Sequence, residues 1–146
     1  MPPIVLVLNG PQSRHVLAKL TDADLSNEGF RWLSGQDIII AGMKMRALRV
    51  SYAGELGWEL HIPIAALGEV YDALMAAGKS HGIRPIGYRA LESLRLEKGY
   101  RAWKGDLSTD YSLLEGGLER FIDWGHDFPG KASLQAEKQR GVKKRF

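Results

Sequence analysis

The chain has 146 residues, of which 45% are hydrophobic and 25% charged, an ordinary composition for one folded domain with a real core. It has no cysteine, which excludes disulfides, thiolate catalysis and cysteine-bound metal. The formal net charge of +3 is unevenly placed. The segment Lys131 to Phe146 carries six basic residues and one acid, for a net +5, so the remainder is slightly acidic. Such a tail suits an acidic partner or nucleic acid, but its bland reading is a solvated helix end whose cations complement the helix dipole. The bland reading is preferred, because no aromatic residue interleaves the basic ones before Phe146.

Ile4-Val5-Leu6-Val7-Leu8 reads as a buried strand. Asn9-Gly10-Pro11 breaks it, and Pro11 suits the first turn of a helix with Val16, Leu17 and Leu20 on its apolar face. Ser34-Gly35-Gln36-Asp37 is a turn into a strand over Asp37–Ile40. Met43, Met45 and Ala47 alternate with Lys44 and Arg46, then the phase shifts so that Leu48, Val50 and Tyr52 alternate with Arg49 and Ser51. A bulge near Ala47-Leu48 accounts for that shift. Trp58, Leu60 and Ile62 form a further strand, joined to the preceding one by the loop Ala53-Gly54-Glu55-Leu56-Gly57.

Leu67, Val70, Tyr71, Leu74 and Met75 recur at helical spacing, with Gly78 and Gly82 as successive stops. A second helix runs from Tyr88 through Lys98, with Ala90, Leu91 and Leu94 facing inward. From Tyr100 to Gly130 aromatics and glycines mix without period, which predicts loops packed over a core. A last short helix spans Ala132 to Gln139. The order predicts an α+β fold of ferredoxin-like type, an antiparallel sheet with helices on one face, followed by a loop-rich segment.

The loop from Tyr52 to Glu59 is the most informative stretch. A glutamate between two glycines is an acceptor on a constrained backbone, able to take two parallel hydrogen bonds from an N–H and an adjacent amine. Pterins and guanines present that edge, and Tyr52 and Trp58 would supply a flat wall. The alternative is an exposed hairpin acid beside core aromatics. Arg95 is either an anion ligand or the partner of Glu92 three residues earlier on a helix. Asp106, Asp110, Glu115, Glu119 and Asp123 crowd one region, but their spacing matches no metal loop, and solvated acids and helix caps are the preferred reading. His15, His61, His81 and His126 are scattered, so no metal site is assigned. No dinucleotide or Walker loop is present.

Three segments together resemble one family: Leu8-Asn9-Gly10-Pro11-Gln12-Ser13-Arg14, Val50 through Leu60 around Gly54-Glu55-Leu56-Gly57-Trp58-Glu59, and Gly87 through Tyr100. They look like the aminomethyltransferase superfamily, the glycine-cleavage T-protein and its relatives. Gly54 to Pro63 and Leu96-Glu97-Lys98-Gly99-Tyr100 are most similar to the folate-binding C-terminal region of sarcosine and dimethylglycine dehydrogenases. The resemblance implies a tetrahydrofolate site, with Glu55 on the pterin, Tyr52, Tyr100 and Trp103 as walls and Arg95 toward the charged tail. It implies one-carbon transfer from N-methylated glycines in the parent enzyme, with FAD only in a separate domain or subunit. The T-protein carries an Arg-Asp pair where this chain has Leu91-Glu92, so that folate contact is lost or taken over by Arg89 or Arg95.

On that resemblance residues 1–146 are one domain, the central part of the folate-binding domain, without its N-terminal segment and C-terminal β-barrel. The segment with the catalytic aspartate lies outside, so no catalytic residue is assigned and the chain alone is expected to be inactive. A non-catalytic regulatory or binding module of the same fold is the alternative. The expected partners are a small-molecule folate and a flavin dehydrogenase domain or subunit, with neither nucleic acid nor membrane, and a homodimer through exposed apolar surface. Met1-Pro2-Pro3-Ile4 does not read as a signal peptide, and a cytoplasmic location is expected.

Overall fold

The computed structural model describes residues 3–145. They fall in two compact units, Met1–Tyr100 and Arg101–Phe146. The first unit is built on four strands: β1 (Ile4–Asn9), β2 (Gly35–Ile40), β3 (Met43–Leu48) and β4 (Gly57–Ile62). They form one antiparallel sheet in the order β1-β4-β3-β2. Helix α1 (Ser13–Leu17) follows β1, and α2 (Leu67–Gly78) and α3 (Tyr88–Glu97) follow β4. This is the α+β arrangement expected, an antiparallel sheet with helices.

Register explains which face is buried. Ile4, Leu6 and Leu8 of β1 lie opposite Ile62, Leu60 and Trp58 of β4, so one face of the pair is wholly apolar. Ile38 pairs with Met45, and Ala47 with Leu60, which extends that face across the sheet. Val16 and Leu17 of α1 and Val70 and Leu74 of α2 complete the core, in which Trp58, Phe30, Leu17 and Leu60 are fully buried. The other face carries the ion pairs of Asp37 with Lys44 and Arg46, beside exposed Val5, Val7 and Ile39.

Three local expectations are corrected. No bulge interrupts β3, which pairs with β2 residue for residue from Met43 to Leu48. The strand simply ends there, and the apparent phase shift arises because Arg49 turns inward. Its guanidinium donates to the Phe30 carbonyl at 2.5 Å and to Asn27 Oδ1 at 2.7 Å, and lies 5.9 Å from the Trp58 ring. Burial, and then neighbouring Arg14, lower the Arg49 pKa, with Glu28 opposing. Pro11 precedes the first helix rather than opening it, since the helix begins at Ser13. On α3, Ala90 is exposed and Leu91 and Leu94 are only half-buried, while the buried residue is Arg95.

The two expected stops differ: Gly78 is still helical, at a φ of −83°, and Lys79 caps α2. After α2 a single 3-10 turn over Lys79–His81 ends on Gly82 in the left-handed region, as the second expected stop. No helix among the described residues is long and apolar enough to cross a membrane.

The second unit has a 3-10 turn at Glu119–Phe121 and helix α4 (Lys131–Arg140), joined by turns. Its acids mostly cap or pair. Asp106 accepts from the Ala102 N–H at 2.8 Å, Glu115 from the Ser112 N–H at 3.1 Å, and Asp123 from the Gly125 N–H at 2.8 Å. Glu119 pairs with Lys138 at 2.5 Å, and Lys138 also lies 5.2 Å from the Trp124 ring. Lys138 and Arg140 occupy the last turn of α4, where the dipole favours cations.

Candidate functional site

The loop between Tyr52 and Gly57 is tied at Leu56 to the segment that follows β1. The Leu56 carbonyl accepts from the Gly10 N–H at 2.8 Å and from the Ser13 hydroxyl at 3.0 Å. The Asn9-Gly10-Pro11 break after β1 therefore anchors the loop that carries Glu55. Gly57 is required by close approach, since a Cβ there would run into Asn9 Oδ1 and come within 2.7 Å of the Leu8 carbonyl. Gly54 adopts a φ of +75°, and a Cβ on it would collide with the side-chain stem of Lys98.

Lys98, at the end of α3, thus lies across the loop, and its Nζ reaches Glu55 Oε1 at 3.2 Å. One helical turn earlier, Arg95 donates through Nε and Nη2 to Glu92 Oε2, at 3.0 and 2.6 Å. Its Nη1 donates to the Tyr100 carbonyl at 2.8 Å, and the guanidinium lies 6.0 Å from the Tyr52 ring. The Tyr52 and Tyr100 rings stack with centroids 6.2 Å apart and planes 24° apart. The pairing of Glu92 with Arg95 is real, and Arg95 is only 5% exposed, so the pair also carries the geometry of Tyr52 and Tyr100. Tyr88 hydrogen-bonds Glu92, which raises the phenol pKa.

A cleft of about 250 Å³ opens beside this cluster, lined by Trp32, Arg49, Ser51, Glu55 and Tyr100 together with loop backbone. The structure therefore gathers Glu55, Tyr52, Arg95 and Tyr100 into one neighbourhood. Trp103 belongs to the second unit, where it bridges to Leu107 and is largely exposed. Trp58, expected as part of the wall, is fully buried in the core. Sequence reasoning missed Lys98, Trp32, Arg49 and Ser51. Lys98 and Glu55 are 43 positions apart, and nothing local to either residue signals the contact. A larger cavity, about 640 Å³, runs along the free edge of β1, with Val7, Tyr71, Leu74, Ile83 and His81 among its lining. Its walls are mainly apolar, whereas the smaller cleft brings an acid, an arginine and aromatics together, as ligand sites do.

The GCVT N-terminal domain model matches residues 4–126. The chain belongs to the GCVT N-terminal domain family. Mitochondrial sarcosine dehydrogenase of Mus musculus is 46% identical over 97% of this chain, which spans 16% of that protein. Mitochondrial dimethylglycine dehydrogenase of Homo sapiens is 43% identical over 97% of the chain and 17% of the relative. An aminomethyltransferase of Thermoanaerobacter sp. (strain X514) is 33% identical, again over 97% of this chain and over 38% of its own length. The chain thus covers about one sixth of the length of these dehydrogenases. The expected resemblance to the aminomethyltransferase superfamily holds over nearly all of the chain, including the Asn9-Gly10-Pro11 turn and the Glu55 loop that the fold joins.

Proposed function

We propose that this member of the GCVT N-terminal domain family binds tetrahydrofolate through Glu55. In the protein of which such a domain forms part, it would serve one-carbon transfer from N-methylated glycines such as sarcosine or dimethylglycine. The observation that carries the reading is that Glu55 lines a small cleft together with Tyr100, whose ring stacks on Tyr52. A reduced pterin offers a ring N–H next to an exocyclic amine, the edge that one carboxylate accepts with two hydrogen bonds. The loop holding Glu55 is fixed at Leu56 and crossed by Lys98, so little ordering entropy remains to be lost on binding. The likeness to sarcosine and dimethylglycine dehydrogenases supports the choice of N-methylated glycines, and a flavin domain or subunit as partner.

The residues take separate roles in this reading. Glu55 is the pterin acceptor. Tyr52 and Tyr100 form one aromatic side of the site. Arg95 serves chiefly by fixing Tyr100 and Glu92 from beneath. Tetrahydrofolate presents the carbon acceptor nitrogens, and holding it in place is the contribution of these residues to transfer. Calorimetric titration of the chain with tetrahydrofolate, beside Glu55→Ala, tests the reading. Saturable binding that weakens at least tenfold in the variant, about 1.4 kcal/mol, supports it. Equal affinity of the two proteins removes Glu55 from the site, and no binding by the intact chain overturns the proposal.

A further inference from the structure

Trp32 is an aromatic side chain that the fold holds out into solvent at some cost. The residue before it but one, Phe30, is fully buried and packs edge-on to Trp58, with centroids 6.2 Å apart. The turn then carries Trp32 outward to 65% exposure. The turn is tightly pinned. The Ser34 N–H donates to the Arg31 carbonyl at 3.2 Å, the Leu33 N–H to the Arg49 carbonyl at 3.0 Å, and the Arg49 N–H to the Ser34 carbonyl at 2.9 Å. Leu33 pays for this with a φ of 60°, a left-handed conformation that a bulky side chain resists. A strained backbone kept in place by its surroundings is a common mark of a functional site.

The position of the indole gives that strain a purpose. Trp32 and Glu55 line the same 250 Å³ cleft. Ser51 lines it too, and its buried hydroxyl has no hydrogen-bond partner among the described residues. Tyr52 and Tyr100 already stack on each other. Among the described residues no ring stacks on Trp32. A flat nitrogen heterocycle needs both an acceptor for its polar edge and a surface for its face. Glu55 supplies the first.

We propose that Trp32 is the stacking platform of the site, and that the strained Arg31–Ser34 turn exists to present it to the flat pyrimidinone ring of a reduced pterin whose edge is held by Glu55. The inference rests on the folate reading and adds a specificity residue to it. It also locates recognition in the pterin head rather than in the tail, so a tetrahydropterin without the aminobenzoyl-glutamate should depend on Trp32 as tetrahydrofolate does.

The test titrates the whole chain with tetrahydrofolate and, separately, with tetrahydropterin. Calorimetry and tryptophan fluorescence are recorded for the native chain, Trp32→Leu, Trp32→Phe and Glu55→Ala. The leucine variant is expected to bind both ligands about tenfold more weakly, within the range for stacking on an aromatic side chain. It should also lose most of the ligand-induced quenching, while its melting temperature stays within a degree or two of the native value. The phenylalanine variant, which keeps a flat face, should recover most of the affinity. Native affinity in Trp32→Leu while Glu55→Ala is impaired would overturn the platform and leave the folate reading standing. A phenylalanine variant as weak as the leucine one, with a lowered melting temperature in both, would assign Trp32 a structural role and equally overturn the inference. Absence of binding by the native chain removes the folate reading, and the platform with it.

Discussion

Helices α2 and α3 are similar in length and are held in opposite ways. Helix α2 buries Val70 and Leu74 against the sheet, with Gly78 at its end close against Ile83. Helix α3 buries Arg95 alone, and the guanidinium is satisfied by Glu92, the Tyr100 carbonyl and the face of Tyr52. The helix fixed by apolar area belongs to the core, and the helix fixed by directional polar contacts carries the candidate site. Apolar burial is strong and tolerant of small displacements, whereas a guanidinium fork fixes angle and distance. A site that must hold an acid and two rings in register gains more from the second.

The sharpest way to break that contrast is to truncate one leucine in each helix. Leu74→Ala should cost about 2–5 kcal/mol in denaturant unfolding, as for other buried leucines. Leu94→Ala, half-buried, should cost well under half as much. Equal costs would mean that α3 is held by its apolar face after all.

Next in size is Arg95→Met, which leaves Glu92 partly buried without its cation. A loss of about 2–3 kcal/mol is expected, together with weaker tetrahydrofolate binding through disorder at Tyr100. Pairing it with Glu92→Leu should restore much of the stability but not the affinity. Recovery of both in the double variant would show that the polar mounting is dispensable.

Gly54→Ala follows, at about 1 kcal/mol, from the positive φ and from displacement of the Lys98 stem. Its effect on binding should exceed that of its neighbour Ala53→Gly. The smallest change is expected for Lys98→Met. The ion pair with Glu55 is more than a third exposed on both sides, so stability should move by less than about 1 kcal/mol. A larger loss in thermal unfolding would mean that the charge itself, and not the stem that methionine keeps, holds the loop.

The same contrast explains what could be read from the sequence. The strand Trp58–Ile62 was legible from its alternation, and the Gly82 stop because only glycine takes that backbone cheaply; the unbroken apolar run Ile4–Leu8 was legible as a strand, but not that Val5 and Val7 face outward. Glu55 was legible because its glycines are local. Arg49 was not, since a charged residue at the end of an alternating run reads as outward, and its burial depends on Phe30 and Asn27 far back in the chain. Helix α3 misled for the same reason. Its leucines advertise an apolar face, but the contacts that hold it run through an arginine. Trp32 gave no signal, because an aromatic in an irregular turn belongs to no period.

The mounting of α3 also separates two kinds of sensitivity. Apolar burial responds to temperature through hydration heat capacity and is strengthened by excluded salts. The exposed contact of Lys98 with Glu55, at 3.2 Å, is shorter than the Debye length of about 8 Å at physiological ionic strength and is strongly screened only near molar salt, where that length falls to about 3 Å. Raising sodium chloride should therefore loosen the Glu55 loop while the sheet behind it is undisturbed, so that ionic strength acts on the acceptor's readiness and heat on the scaffold that displays it.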